Sequence, residues 1–209
     1  MVAGCASGGA GTAFLAVSPN DYWAAVATVA GLPYGEDATA VSVLGVCPGW
    51  ALFHPLPWTV AAMRAQLGPH PYPLPLLVVQ NERGCTVKPT AGALLRDAQP
   101  ALHGTPGHQT AAPPAVGEAR PCQQVYRADY GCRQTRHSRD GQSGSPTLVE
   151  TVIYDGPLAT DFRGDKDLGH YWIGGEQGEE GPYAVRQGPS HPDIIWDFFR
   201  RHPRGGEGE

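Results

Sequence analysis

Gly4, Ala6 and Gly8, in the opening run Met-Val-Ala-Gly-Cys-Ala-Ser-Gly-Gly-Ala-Gly, stand at the spacing of a Gly-x-Ser-x-Gly turn, with alanine in the serine's place. Such a turn joins a strand to a helix and lifts a hydroxyl above a parallel sheet, where it can attack an acyl carbon. Its glycines serve a tight bend and a close approach of backbones. Acyl transfer further needs a base, a group that orients the base, and backbone N–H donors for the developing oxyanion. A methyl group supplies none of these. Ser7 could donate its N–H to the oxyanion, or could itself be the nucleophile in the frame Cys5-x-Ser7-x-Gly9. His170, in Gly169-His170-Tyr171-Trp172-Ile173-Gly174-Gly175, is the candidate base; a packed loop histidine is the plainer alternative. Gly4, Gly8, Gly9 and Gly11 also suggest a dinucleotide-binding loop, but their spacing is off by one and no acidic residue closes a strand at the expected distance.

These residues must be positioned by a chain of 209 residues, enough for one domain with a real core. Charged residues are 17% of it, below the usual share of about 25%. The 28 glycines and 21 prolines predict extensive loops. A net charge of -5 without a basic stripe argues against nucleic-acid binding. No apolar run approaches the roughly 20 residues that a membrane-spanning helix requires. No signal peptide is visible. Five cysteines permit disulfides without demanding them: Cys122 and Cys132 could pair or remain thiols, and Cys5 is the expected odd one. His54, His70, His103, His108, His137, His191 and His202 show no metal spacing and read as surface residues. No metal and no cofactor is expected.

Apolar patterning predicts helices over 9–17, 58–67, 90–98 and 192–201, and buried strands over 22–30, 73–80 and 148–154. In the last helix Ile195, Phe198 and Phe199 share one face. Residues from about 103 to 147 show no period and read as a long loop or lid insertion. The alternation of strands and helices predicts an α/β fold, a mostly parallel sheet flanked by helices.

Gly4-Cys5-Ala6-Ser7-Gly8-Gly9-Ala10, with Ala24-Ala25-Val26 and Gly31-Leu32-Pro33-Tyr34-Gly35, resembles the extracellular polyhydroxybutyrate depolymerases and their esterase relatives. The run 169–175 is similar to that family's histidine loop, and the ending Trp196-Asp197-Phe198-Phe199-Arg200-Arg201-His202-Pro203-Arg204 to its closing helix. The resemblance implies the C-terminal portion of an α/β-hydrolase lacking its N-terminal strands. Residues 1–202 would form the partial domain, with the insertion at about 103–147 and a disordered tail over 203–209.

The resemblance further implies a serine esterase acting extracellularly on a polyester or small ester of hydroxyalkanoic acids. Ala6 falls in the nucleophile slot, His170 in the base slot and Gly84 in the acid slot, within Gln80-Asn81-Glu82-Arg83-Gly84-Cys85-Thr86-Val87. Glu82, Asp161, Asp165 and Asp167 are the substitute acids to consider, against a reading as solvated loop carboxylates. Tyr34, Tyr171 and Trp172 are candidate linings of an ester cleft, or core aromatics. Loss of a triad serine costs about a millionfold in turnover and loss of the orienting carboxylate roughly ten-thousand-fold. The chain as written is therefore expected to be impaired or inactive. The alternative is a non-catalytic binder of hydroxyalkanoates or other esters. A sheet edge left without its upstream neighbour predicts self-association.

Overall fold

The computed structural model describes residues 1–18, 20–37, 53–68, 72–84, 86–103, 120–121, 132–139, 145–154, 170–174, 177–181, 183–186 and 188–204. Its main sheet has six strands: β1 (Val2–Cys5), β2 (Val26–Val29), β3 (Leu76–Asn81), β4 (Arg120–Pro121), β5 (Cys132–Ser138) and β6 (Thr147–Tyr154). Their order is β1-β2-β3-β6-β5-β4. The first four in that order pair in parallel, and β5 and β4 join antiparallel. Helices α1 (Ser7–Leu15), α2 (Leu56–Gln66), α3 (Pro89–Leu102) and α4 (His191–Arg201) flank the sheet, and a small parallel pair, β7 (Trp172–Ile173) and β8 (Ala184–Val185), lies beside it. This is the α/β architecture expected from the alternation of elements.

The central strands, Val-Ala-Thr-Val and Leu-Leu-Val-Val-Gln-Asn, are mostly apolar and buried along their length because both of their faces are covered. Ala27, Val29, Leu77, Val79 and Val152 face a cluster closed by α4 and β7, with Ile194, Ile195, Phe198, Phe199, Tyr171 and Ile173. Val26, Leu76, Val78 and Val149 face the opposite cluster, with Ala13 of α1 and Leu95 of α3. Outside that layer α2 packs on α3 through Val60 and Met63 against Ala98, Ala101 and Leu102.

Three differences from the sequence expectations have physical causes. The second strand spans only Val26–Val29, because Tyr22 is exposed and Ala30 leaves the extended region at φ 45°. The third helix runs past Ala98 and through Pro100 to Leu102. Burial of Ala98, Ala101 and Leu102 against α2, and the Arg64 Nη2 bond to the Ala101 carbonyl (2.9 Å), offset the proline's cost of about 3 kcal/mol. The stretch 103–147 is not loop throughout, since it contains β4 and β5. The seven residues of β5, Cys-Arg-Gln-Thr-Arg-His-Ser, lack an apolar period. Polar side chains tie them to β6 instead: Thr135 to Thr151, Arg136 to Thr147, and Gln134 Nε2 to Glu150 Oε2 at 3.3 Å.

Candidate active site

Ala6 is the only residue between β1 and α1, and it lies at φ 55°, ψ -119°. A positive φ is uncommon outside glycine, and residues held in such sparse regions cost about 1–3 kcal/mol each. Two hydrogen bonds fix the turn. The Ala6 N–H donates to the Val29 carbonyl (3.0 Å), and the Ala6 carbonyl accepts the Ala10 N–H (3.0 Å), the first bond of α1. Gly4 makes the turn sterically feasible: a Cβ there would collide with the Gly8 carbonyl and lie 2.7 Å from Thr12 Oγ1. Thr12 Oγ1 itself donates to that carbonyl at 2.8 Å.

The second glycine of the frame is used differently from expectation. A Cβ at Gly8 would meet open space, whereas one at Gly9 would lie 2.8 Å from both the Gly31 Cα and Thr28 Oγ1. Gly9 thus sets how closely α1 approaches the sheet. Gly8 and Gly11 are ordinary helix positions, and with a single residue between strand and helix no glycine loop remains to cradle a dinucleotide phosphate. Ser7 is exposed in the first turn of α1, one residue past the apex of the bend. Cys5, on the strand side, is half-buried and unpaired; burial pushes its thiol up to about 11, so it stays protonated and a poor nucleophile at neutral pH.

His170 immediately precedes the buried Tyr171 and β7, is itself half-buried, and has a buried Nδ1 with no hydrogen-bond partner among the described residues. Desolvation holds its imidazole below the usual histidine value, favouring the neutral form that a general base requires. Tyr171 and Ile173 belong to one cluster with Val29, Val79 and Tyr154, and Cys5 and Trp172 pack against it. The chain neighbours of Ala6 and His170 therefore meet on the same face of the sheet. Tyr34 does not join them. It stacks on Phe14 (ring centroids 5.9 Å, 8° between planes) and packs with Val17, Val60 and Met63 on the helical layer of the other face. Tyr171 is core rather than cleft, while Trp172 is partly exposed.

Gly84 offers no room for an acid. A Cβ there would lie 2.8 Å from the Val87 carbonyl and 3.2 Å from that of Asn81. Of the substitutes, Glu82 is exposed and pairs with exposed Arg133 at 3.1 Å, and Asp161, Asp165 and Asp167 lie outside the described residues. The residue that sequence reasoning passed over is Asn81, which ends β3 and is wholly buried. Strand alternation puts it on the face of Leu77 and Val79, in register with Tyr154 on β6. Its Oδ1 accepts the Arg83 N–H at 2.9 Å, and its Nδ2 has no partner among the described residues. The signal was a carboxamide closing the buried run Leu-Leu-Val-Val-Gln-Asn.

Two histidines expected at the surface are buried, His137 at 3% exposure and His191 at 0%. Both sit where neighbouring elements cover them: His137 in a strand paired to β6, and His191 at the start of α4 under Tyr154 and Trp172. His70, His108 and the Cys122–Cys132 pair fall outside the residues whose side chains are described. Among the described residues no cluster of three or more His, Cys, Asp or Glu could hold a metal ion. No helix among them is long and apolar enough to cross a membrane.

These features define an α/β protein with a mostly parallel sheet, a strained strand-to-helix turn at its carboxyl edge, and a half-buried histidine whose neighbour Tyr171 belongs to the cluster against which Cys5 of that turn packs. Compared with known proteins, the chain matches no family model and no curated protein.

Proposed function

We propose that the chain is a carboxylic-ester hydrolase frame of the polyhydroxybutyrate-depolymerase type, the C-terminal portion of an α/β-hydrolase, that has lost its nucleophile. The observation that carries this reading is the backbone of Ala6. Alanine gains nothing locally from φ 55°, ψ -119°, and strain of this kind concentrates at functional sites. A side chain on that bend stands where a nucleophile in a Gly-x-Ser-x-Gly turn is presented. His170, its pKa lowered by burial, is the candidate base, and the wholly buried Asn81 is a candidate orienting group on the face of Leu77 and Val79. Asparagine can orient an imidazole in a nucleophilic triad.

The test is hydrolysis of p-nitrophenyl butyrate by the unaltered chain, by Ala6→Ser, and by Ala6→Ser with Asn81→Asp. The expected result is no turnover in the first, acylation in the second, and faster turnover in the third. Gly84→Asp is not a useful restoration, because its side chain must displace the Val87 carbonyl. Failure of a fluorophosphonate to label folded Ala6→Ser would overturn the reading. Turnover by the unaltered chain that Ser7→Ala abolishes would move the nucleophile to Ser7.

The lack of space at Gly84 favours a second reading, an extracellular binder of hydroxyalkanoate esters that does not cleave them. It predicts saturable binding of 3-hydroxybutyrate oligomers by the unaltered chain and no acylation after Ala6→Ser.

A further inference from the structure

His191 is the first residue of α4 and has no exposed surface. Its Nδ1 accepts the Ile173 N–H at 3.1 Å, which joins α4 to β7. Its ring meets Trp172 edge-on at 5.4 Å (83° between planes) and Tyr154, the last residue of β6, at 5.5 Å. Ile173 and Trp172 follow His170 by three and two residues. The opposite end of α4 is anchored as well, since Arg201 grips the buried Glu150 of β6 with bonds of 2.6 and 2.8 Å. The helix is thus pinned at one end to the sheet and at the other to the segment that bears His170.

We propose that His191 is a positioning residue: by accepting the Ile173 N–H and packing its ring against both Trp172 and Tyr154, it sets where the His170 segment lies at the carboxyl edge of the sheet. That this position matters for ester cleavage rests on the hydrolase reading above; the placement itself does not. Histidine gives the Ile173 amide an acceptor that an apolar filler lacks, while its own buried Nε2 has no partner among the described residues. A ring nitrogen that accepts the amide proton must be unprotonated, so the proton sits on Nε2. Burial holds the imidazole down to about 3, so that neutral form persists across the physiological range. A phenylalanine would keep the ring contacts but leave the Ile173 amide buried and unbonded.

The test uses nuclear magnetic resonance on the unaltered chain and on two variants. In the unaltered chain His191 is expected as the Nε2–H tautomer, with a scalar coupling across the hydrogen bond from the Ile173 amide to Nδ1. A protonated Nδ1, or no coupling, overturns the proposal. His191→Phe is expected to shift the His170 imidazole resonances and to speed exchange of the Ile173 amide by about tenfold. In His191→Asn the side-chain oxygen takes the place of Nδ1, so both readouts are expected to return to those of the unaltered chain. Unmoved His170 resonances in folded His191→Phe would refute the assignment. Should that variant not fold, the asparagine variant decides: displaced His170 resonances beside a protected Ile173 amide would refute it too. In the Ala6→Ser background, His191→Phe is expected to lower kcat with KM held and His191→Asn to restore it. Absence of turnover in Ala6→Ser counts against the hydrolase reading alone and leaves the resonance results standing.

Discussion

At the scale of single residues, the turn at Ala6 separates strain from sterics. Ala6→Gly relieves a positive φ and is expected to stabilise the fold by about 1 kcal/mol in urea unfolding. Unchanged or reduced stability would show that Ala6 is not strained. Gly4→Ala is expected to cost about 3 kcal/mol, the upper end for overpacking, because its Cβ meets backbone that cannot move aside. Gly8→Ala faces open space on α1 and is expected to gain about 0.5–1 kcal/mol from helix propensity. The opposite order for these two glycines would contradict the geometry of the turn. The strand-to-helix turn was legible in the sequence because Gly4 and Ala6 sit in a local pattern. Which glycine packs was not, since the Gly9–Gly31 contact spans residues remote in the chain. At Gly84 the sequence pattern marks a slot, while the lack of space above it comes from the Val87 and Asn81 carbonyls. The burial of His191 was invisible because it depends on Tyr154 and Trp172, which only the fold brings near.

At the scale of elements, α4 is held to the sheet by a buried ion pair rather than by apolar contact alone. Glu150 is 1% exposed on β6 and receives both Arg201 guanidinium bonds, with Arg136 at 3.9 Å and His202 at 3.8 Å. Burial alone would raise its carboxyl, but the Arg201 and His202 interactions outweigh it and hold the group at about 2, against an ordinary 4.5. A carboxylate depressed in the folded state contributes stability above its unfolded value and loses it as pH falls toward the folded one. Stability is therefore expected to decline between pH 4.5 and 2, by about 3 kcal/mol from this group. Arg201→Met strands a buried charge and is expected to cost about 3–5 kcal/mol at pH 7, read from urea midpoints. In that variant the acid decline should shrink, because the two guanidinium bonds that lower the Glu150 carboxyl are gone and, of its described partners, only Arg136, His202 and Gln134 remain beside it. A decline identical to that of the unaltered chain would place the acid sensitivity elsewhere. The apolar strands and α4 were readable from their periods. Strand β5 was not, because its order comes from polar side chains bonded across to β6.

At the scale of the whole molecule, the described strand order leaves β1 at one end of the sheet and the two-residue β4 at the other. Among the described residues β1 pairs only with β2. Its sequence Val-Ala-Gly-Cys carries no charge, bulge or proline, the devices that usually blunt an edge. Ala3 is exposed on this strand, and Val2, Gly4 and Cys5 are only half-covered. Such an edge is a template for a second copy, so the protein is expected to associate reversibly with increasing concentration. Sedimentation velocity measures this directly. Ala3→Lys places a charge on the strand without touching the buried face and is expected to return the chain to monomer at the same concentration. Association of equal strength in the lysine variant would exclude β1 as the contact. A single monomeric species in the unaltered chain across the range would mean that this edge is covered within one molecule.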